Sequence, residues 1–217
     1  MKITDKAQDL ENFVQAILSE KIVVGEIVRQ RDLCEILETS LSPLRELLVL
    51  LEELELVEVK PRAGYKIIYP DIEFMRENMQ FRVMIEKHAL EPFLEEVTEG
   101  WIKDQITQTK DLICQIETTA DLSLLNPVVL DIDRAFHRTI VAALKNNAIS
   151  KAHEYTQTKL RIARQVHRRI PPRKTNMTAM LEHVAILEAM KQRDVVEVTK
   201  ALEAHFAGSI RNTLVGY

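Results

Sequence analysis

RQRDLCEILETSLSPLRELLVLLEELELVEVKPRAGYKIIY, residues 29–69, decides the fold. Leu33, Ile36 and Leu37 give a short helix one apolar face, and Glu38-Thr39-Ser40 is a polar turn. A second helix starts near Leu41 and carries Leu44, Leu47, Leu48, Leu51 and Leu54 at helical spacing. Two short alternating strands follow, Val57–Lys60 and Tyr65–Tyr69, around Pro61-Arg62-Ala63-Gly64. Helix, turn, helix and β-wing in that order is the layout of a winged helix-turn-helix, which reads DNA. The plainer reading of the same string is a helical hairpin followed by a β-turn.

Upstream, Leu10, Phe13, Val14, Ile17 and Leu18 predict an amphipathic helix over Asp5–Ser19, and Val24-Gly25-Glu26 a turn. Downstream, Pro70-Asp71 marks a boundary, with Asp71 placed to cap the next helix. From there the chain reads as helix: 71–98, 101–118, 127–145, 147–169, 176–192 and 194–213. Asn126-Pro127 suits a cap followed by the first helical position, and Pro171-Pro172 forces a break. The expected fold is mainly α. Residues 1–70 form the winged helix-turn-helix, and residues 71–217 an all-α antiparallel bundle of about six helices.

The 217 residues, 46% apolar and 29% charged, are ordinary globular composition and exclude a disordered chain. No apolar run approaches the ~20 residues that span a bilayer, and the N-terminus lacks a signal-peptide core. Cys34 and Cys114 form no CxxC, which fits reduced thiols in a cytoplasmic protein. Residues 1–70 hold 9 Lys/Arg against 13 Asp/Glu, a net of −4, and the remainder 20 against 20. DNA heads are usually basic, because phosphate neutralisation supplies much of the affinity. Here the cations must be segregated: Arg29, Arg31, Arg45, Lys60, Arg62 and Lys66 fall on the expected DNA side. The acidic run Glu52, Glu53, Glu55 falls at the far end of the second helix. Recognition would run through Ser40, Leu41, Ser42, Pro43 and Arg45, with Arg31 on the preceding helix and Arg62 and Gly64 in the wing. Affinity should be modest, salt-sensitive and dependent on two copies of the head.

Four side chains in the bundle could ligate metal. Asp133 and His137 stand four apart on a helix face that also carries Phe136, Ile140, Val141 and Leu144. His183 lies among Met180, Val184 and Leu187, and His205 among Val198, Ala201, Leu202 and Ser209. Burying three imidazoles and a carboxylate is costly unless they pair or bind metal, and either solution fits the spacing. Nitrogen and oxygen ligands without thiolate suit Zn, Ni, Mn or Fe, one ion per chain. His88, His153 and His167 lack such partners and read as ordinary. The basic run Lys159, Arg161, Arg164, Arg168, Arg169, Arg173, Lys174 reads as a solvated helix face, or as one with an arginine turned inward to hold an anion. Arg82 is a similar candidate, with Glu86 on its face as an alternative partner. No Walker loop, GxGxxG, HExxH or nucleophile elbow occurs, and nothing has catalytic-triad spacing.

Residues 25–67 resemble the DNA-binding domain of the GntR family of bacterial transcription regulators. Its S-R-x-P-V-R-E-A-L string stands as Ser40-Leu41-Ser42-Pro43-Leu44-Arg45-Glu46-Leu47-Leu48, and its basic wing as Pro61-Arg62-Ala63-Gly64. The remainder resembles the FCD ligand-binding domain of the FadR subfamily. D-x-x-F-H stands as Asp133–His137, E-H-x-x-I-x-x-A as Glu182–Ala189, and the final-helix histidine as His205. Leu41 departs from the family, which has Arg there to read guanine, worth ~1–3 kcal/mol of discrimination. Arg31 matches a DNA-contacting position.

The expectation is a homodimeric, non-enzymatic regulator whose two heads read a short palindrome in double-stranded DNA. Its bundle would hold a divalent metal and, by resemblance, a small carboxylate effector reaching the metal and an inward arginine, Arg82 or Arg164. The alternatives are a metal sensor with the ion as effector, or a metal-dependent hydrolase using Glu182 as base.

Overall fold

The computed structural model describes residues 3–167 and 170–214. It divides into two compact units: residues up to Met75 with Thr158–Val166, and Arg76–Gln157 with the chain from His167 onward. Among the described residues the chain is helical apart from a small sheet, and no helix is long and apolar enough to cross a membrane.

In the first unit, α1 (Ile3–Leu18) buries Leu10, Phe13, Val14, Ala16 and Ile17. A two-residue strand, β1 (Ile27–Val28), was not expected from the sequence, because two residues carry no alternation to read. Then come α2 (Gln30–Ile36), α3 (Leu41–Glu53), β2 (Val57–Lys60) and β3 (Gly64–Ile67). Leu33 on α2 and Leu44, Leu47, Leu48 and Leu51 on α3 form the core beneath the reading surface. The sheet is antiparallel in the order β1-β3-β2, with Val28 opposite Tyr65 and Val59 opposite Tyr65 on its other side.

Both helices of the motif end in the same way. After α2, Glu38 is left-handed at φ 49°, Thr39 N–H donates to Cys34 O at 3.0 Å and Glu38 N–H to Glu35 O at 3.4 Å. After α3, Glu55 is left-handed at φ 57°, and Leu56 N–H reaches Leu51 O at 2.8 Å. These are Schellman closures with glutamate where glycine is usual. They turn the chain sharply with no glycine to announce them.

In the second unit, α4 (Ile72–Glu96) starts as expected, with Asp71 Oδ1 accepting from Phe74 N–H at 2.8 Å. It is followed by α5 (Glu99–Thr118), α6 (Leu125–Ala142), α7 (Asn147–Val166), α8 (Pro172–Met190) and α9 (Val195–Leu214). Helix α8 packs against α5, α6 and α9. Two expectations are corrected at helix starts. Asn126 does not cap α6, which already begins at Leu125, and its side-chain oxygen instead accepts from the buried Asn176 at 2.8 Å. Pro171-Pro172 breaks the chain but also begins α8, four residues before the expected position 176, because proline is tolerated in a first turn.

The solvated-face reading of the basic run is also corrected. Arg173 bonds the carbonyls of Ile116, Glu117, Thr119 and Ala120, closing the C-terminal end of α5. Arg161 pairs with Glu11 at 2.7 Å and Lys159 with Glu55 at 3.3 Å. Arg168 and Arg169 lie outside the described residues.

Gly64 opens β3 at φ +134°, and a Cβ there would stand 2.5 Å from Val28 O. An L side chain is therefore excluded twice, by backbone conformation and by the neighbouring strand. Gly64→Ala should lower stability by about 1–3 kcal/mol, the usual cost of a strained backbone residue. Thermal melting should report this as a lower midpoint, and an unchanged midpoint would show that β1 and β3 do not approach so closely.

Candidate functional site

Asp133 and His137 project from one face of α6, a turn apart. Helices α8 and α9 bring His183 and His205 to the same place, and all four side chains are buried. One ligand atom from each lies within 4.8 Å of the other three. His183 Nε2 is 3.1 Å from Asp133 Oδ1, and His137 Nε2 is 3.7 Å from it. The three imidazole rings pack edge-on or stacked, with centroids 4.9–5.1 Å apart, and Phe136 and Phe206 close the apolar side.

The Nε2 atoms of His137, His183 and His205 are all buried, and among the described residues none makes a well-aligned hydrogen bond, although His183 Nε2 lies 3.1 Å from Asp133 Oδ1. Each such orphan costs about 1–3 kcal/mol. A cation answers all three at once. The Nδ1 atoms are engaged: His137 Nδ1 lies 2.5 Å from Glu86 Oε2, and His205 Nδ1 lies 2.9 Å from Glu182 Oε2. Glu86 is ionised and can only accept, so on His137 the Nδ1–H tautomer is assigned and the Nε2 lone pair faces the cluster; Glu182, whose carboxyl titrates near neutrality, holds His205 less strictly.

The charge states agree. Burial pushes the His183 and His205 imidazoles below their ordinary range, His205 well below, so both are neutral at pH 7. Burial alone would raise the Asp133 carboxyl, but the His137 and His183 rings outweigh it and hold the group well below the usual carboxylate range. Neutral imidazole and ionised carboxylate are the metal-binding forms. The residues therefore fit a divalent metal.

Two carboxylates lie behind the four residues in places the sequence did not assign: Glu86 was read as a partner of Arg82, and Glu182 as the base of a hydrolase. Glu86, fully buried on α4, accepts from Arg82 Nε at 2.7 Å and contacts His153 Nε2 at 2.9 Å besides His137. This corrects the reading of His153 as an ordinary histidine: it is buried and belongs to the network. His88 is exposed, as an ordinary histidine would be. Glu182, part-buried, has its carboxyl raised to about 7 by burial, against the lowering pull of Arg211. Its neighbour in sequence, His183, points elsewhere; the partner of Glu182 is one helix away.

Arg82 is fully buried, as the sequence allowed, and its predicted alternative partner Glu86 is the one it has. That bond uses only Nε. Both terminal nitrogens, Nη1 and Nη2, are buried without a hydrogen-bond partner among the described residues, and the guanidinium lies 5.0 Å from the Phe206 ring centroid. Arg164 is half-buried on the part of α7 that clusters with the first unit.

On the head, Ser40, Leu41, Ser42 and Arg45 are exposed on the first turns of α3, Leu41 at 51%. The Arg31 side chain, 81% exposed, makes only long contacts of 3.8 Å to Asp32 and Glu35. Such surface pairs are weak and leave it available to phosphate. Arg62 sits exposed at the wing tip in a left-handed conformation, φ 67°.

A family profile for the FCD domain matches residues 77–208, and one for bacterial regulatory proteins of the gntR family matches residues 10–67. The chain belongs to the GntR family and carries an FCD domain. It is a transcription regulator with a DNA-binding winged helix-turn-helix. It is similar to YdhC of Bacillus subtilis (strain 168), described as an uncharacterized HTH-type transcriptional regulator, at 22% identity over 84% of this chain and 79% of that one. The fold is shared with E. coli McbR/YncC at a TM-score of 0.75 and 16% identity, over 96% of both chains. The metal-free FCD domain of TM0439 gives 0.52 and 20% identity, over 66% of this chain and 94% of that one. The buried Asp/His group of this FCD domain could hold a metal.

Metal bound only by the native state should stabilise the protein, by about 2.7 kcal/mol at a hundred times the dissociation constant. Elemental analysis after native purification should find about one divalent ion per chain. The double variant His183→Ala/His205→Ala should lose the ion, and added metal should no longer raise its melting temperature. Full occupancy in that variant would place the metal elsewhere.

Proposed function

We propose that this chain is a regulator of the FadR subfamily, acting as a homodimer on a short palindromic operator. Its FCD domain would bind one divalent metal through Asp133, His137, His183 and His205, with a small carboxylate as effector. One observation carries this reading. The three orphaned imidazole nitrogens and Asp133 stand one side chain away from Arg82, whose two terminal nitrogens are buried and unpartnered. A buried guanidinium holding only one of its hydrogen bonds favours a planar anionic partner, and a carboxylate matches its fork. Zn, Ni, Mn and Fe suit the donor set, and a bound ion of this kind supplies positions for ligand oxygens. Arg82 is favoured over Arg164, because it shares a unit and a bridging carboxylate with the metal group.

The hydrolase reading has less support. The carboxylate of Glu182 engages His205 at Nδ1, the ring nitrogen remote from the cluster.

DNA reading rests on the exposed faces of α2, α3 and the wing: Arg31, Ser40, Leu41, Ser42, Arg45, Arg62 and the Gly64 turn. Arg45→Ala should abolish specific retardation of the gene's own promoter region while the far-ultraviolet circular dichroism stays helical. Unchanged affinity would remove Arg45 from the interface.

A thermal-shift panel of organic acids should find a stabiliser that acts with metal present and fails after chelation. Arg82→Gln should weaken that compound by about 1.5–3 kcal/mol, the worth of a hydrogen bond to a charged group. The compound should also change operator affinity. Equal binding to metal-free protein would break the proposed effector site. If added metal alone switches operator affinity and no acid binds, the ion itself is the effector.

A further inference from the structure

The metal ligands are held by side chains that never reach the metal, and the two that do so differ sharply in environment. Glu86 lies on α4, a helix that contributes no ligand, and is fully buried. Its two oxygens carry three contacts: His137 Nδ1 at 2.5 Å on Oε2, and Arg82 Nε at 2.7 Å and His153 Nε2 at 2.9 Å on Oε1. Glu182 makes a single comparable contact, to His205 Nδ1 at 2.9 Å, and its side chain is 23% exposed.

A carboxylate without water is expensive, and three donors from three helices are a large investment for a group with no ligand of its own. Packing alone would be met by an apolar residue on α4. What an apolar residue cannot do is accept from His137 Nδ1. Without that acceptor the ring is free to carry its proton on Nε2, which removes one metal ligand, or to rotate away from the cluster. Arg82 and His153, bound to the other oxygen, fix the carboxylate so that Oε2 stays on the His137 ring.

We propose that Glu86 is the positioning residue of the metal centre, fixing the tautomer and orientation of His137, and that Glu182 does the same for His205 with smaller effect. This rests on the metal reading above, and the two fail differently. Cobalt(II) is the probe, because its visible absorption reports coordination. Wild-type protein, Glu86→Gln and Glu182→Gln are titrated with Co²⁺ against a competing chelator, with circular dichroism and melting of the metal-free proteins alongside. Glu86→Gln should weaken Co²⁺ binding by about 10- to 100-fold, the usual loss on removing such a supporting group. Its saturated visible spectrum should also change. A general loss of packing would lower the metal-free melting temperature without altering the saturated spectrum. Glu182→Gln should lose less. Glu86→Asp, which keeps the charge, should recover part of the loss.

Absence of a cobalt spectrum in the wild type would sink the metal reading itself. A normal wild-type spectrum with equal affinity and an unchanged spectrum in Glu86→Gln would overturn the role of Glu86. So would a greater loss from Glu182→Gln. Should Glu86→Gln not fold, long-range ¹H–¹⁵N spectra of the metal-free wild type decide. His137 must carry its proton on Nδ1, and a proton on Nε2 overturns the proposal.

Discussion

Two carboxylates shut away from water set the terms for the whole FCD bundle. Glu86 and Asp133 are both ionised in the interior, where an isolated charge would cost far more than the fold's net stability. Glu86 is answered by His137 Nδ1, Arg82 Nε and His153 Nε2, and Asp133 has His183 Nε2 3.1 Å away and His137 Nε2 3.7 Å away. This requirement fixes which faces of α4, α6, α7 and α8 turn inward. An apolar core tolerates small rotations of its helices. The three contacts on Glu86, all under 3 Å, do not.

The DNA head is held by different means. Its core is apolar among the described residues, with leucines of α2 and α3 beside Phe13, Val14 and Ile17 of α1, and its precision lies in backbone corners: the glutamate closures of α2 and α3, and the Gly64 turn against β1. These corners turn the chain from α2 into α3 and from α3 into the wing, beneath a surface whose side chains are exposed.

The alternating and helical periods of residues 29–69 were enough to place α2, α3, β2 and β3, because half-buried elements write their exposure into the sequence. The clustering of Asp133, His137, His183 and His205 was legible for the same reason: each lies on an apolar face where a polar residue stands out. Glu86 and His153 were not. Glu86 reads as half of an i,i+4 pair with Arg82, which is the commonest surface arrangement on a helix, and nothing local marks it as buried. His153 sits between Ala152 and Glu154 with no apolar stripe to flag it. Their partners come from other helices, and that information exists only in three dimensions. Helix ends were missed where an unusual residue did the work, as with Glu38, Glu55 and the carbonyls gripped by Arg173.

The acidity of the head bears on how the protein searches a genome. Glu52, Glu53 and Glu55 are exposed at the far end of α3, while Arg31, Arg45 and Arg62 are exposed on α2, the start of α3 and the wing. A uniformly basic head is retained by any phosphate backbone in any orientation, and most copies are then sequestered on random sequence. A head with a repellent back is held only when it faces the groove. Such a head would leave random DNA sooner than a uniformly basic one, so that occupancy of a true site would follow changes in protein state more quickly. Selectivity thus gains from charges that never touch a base.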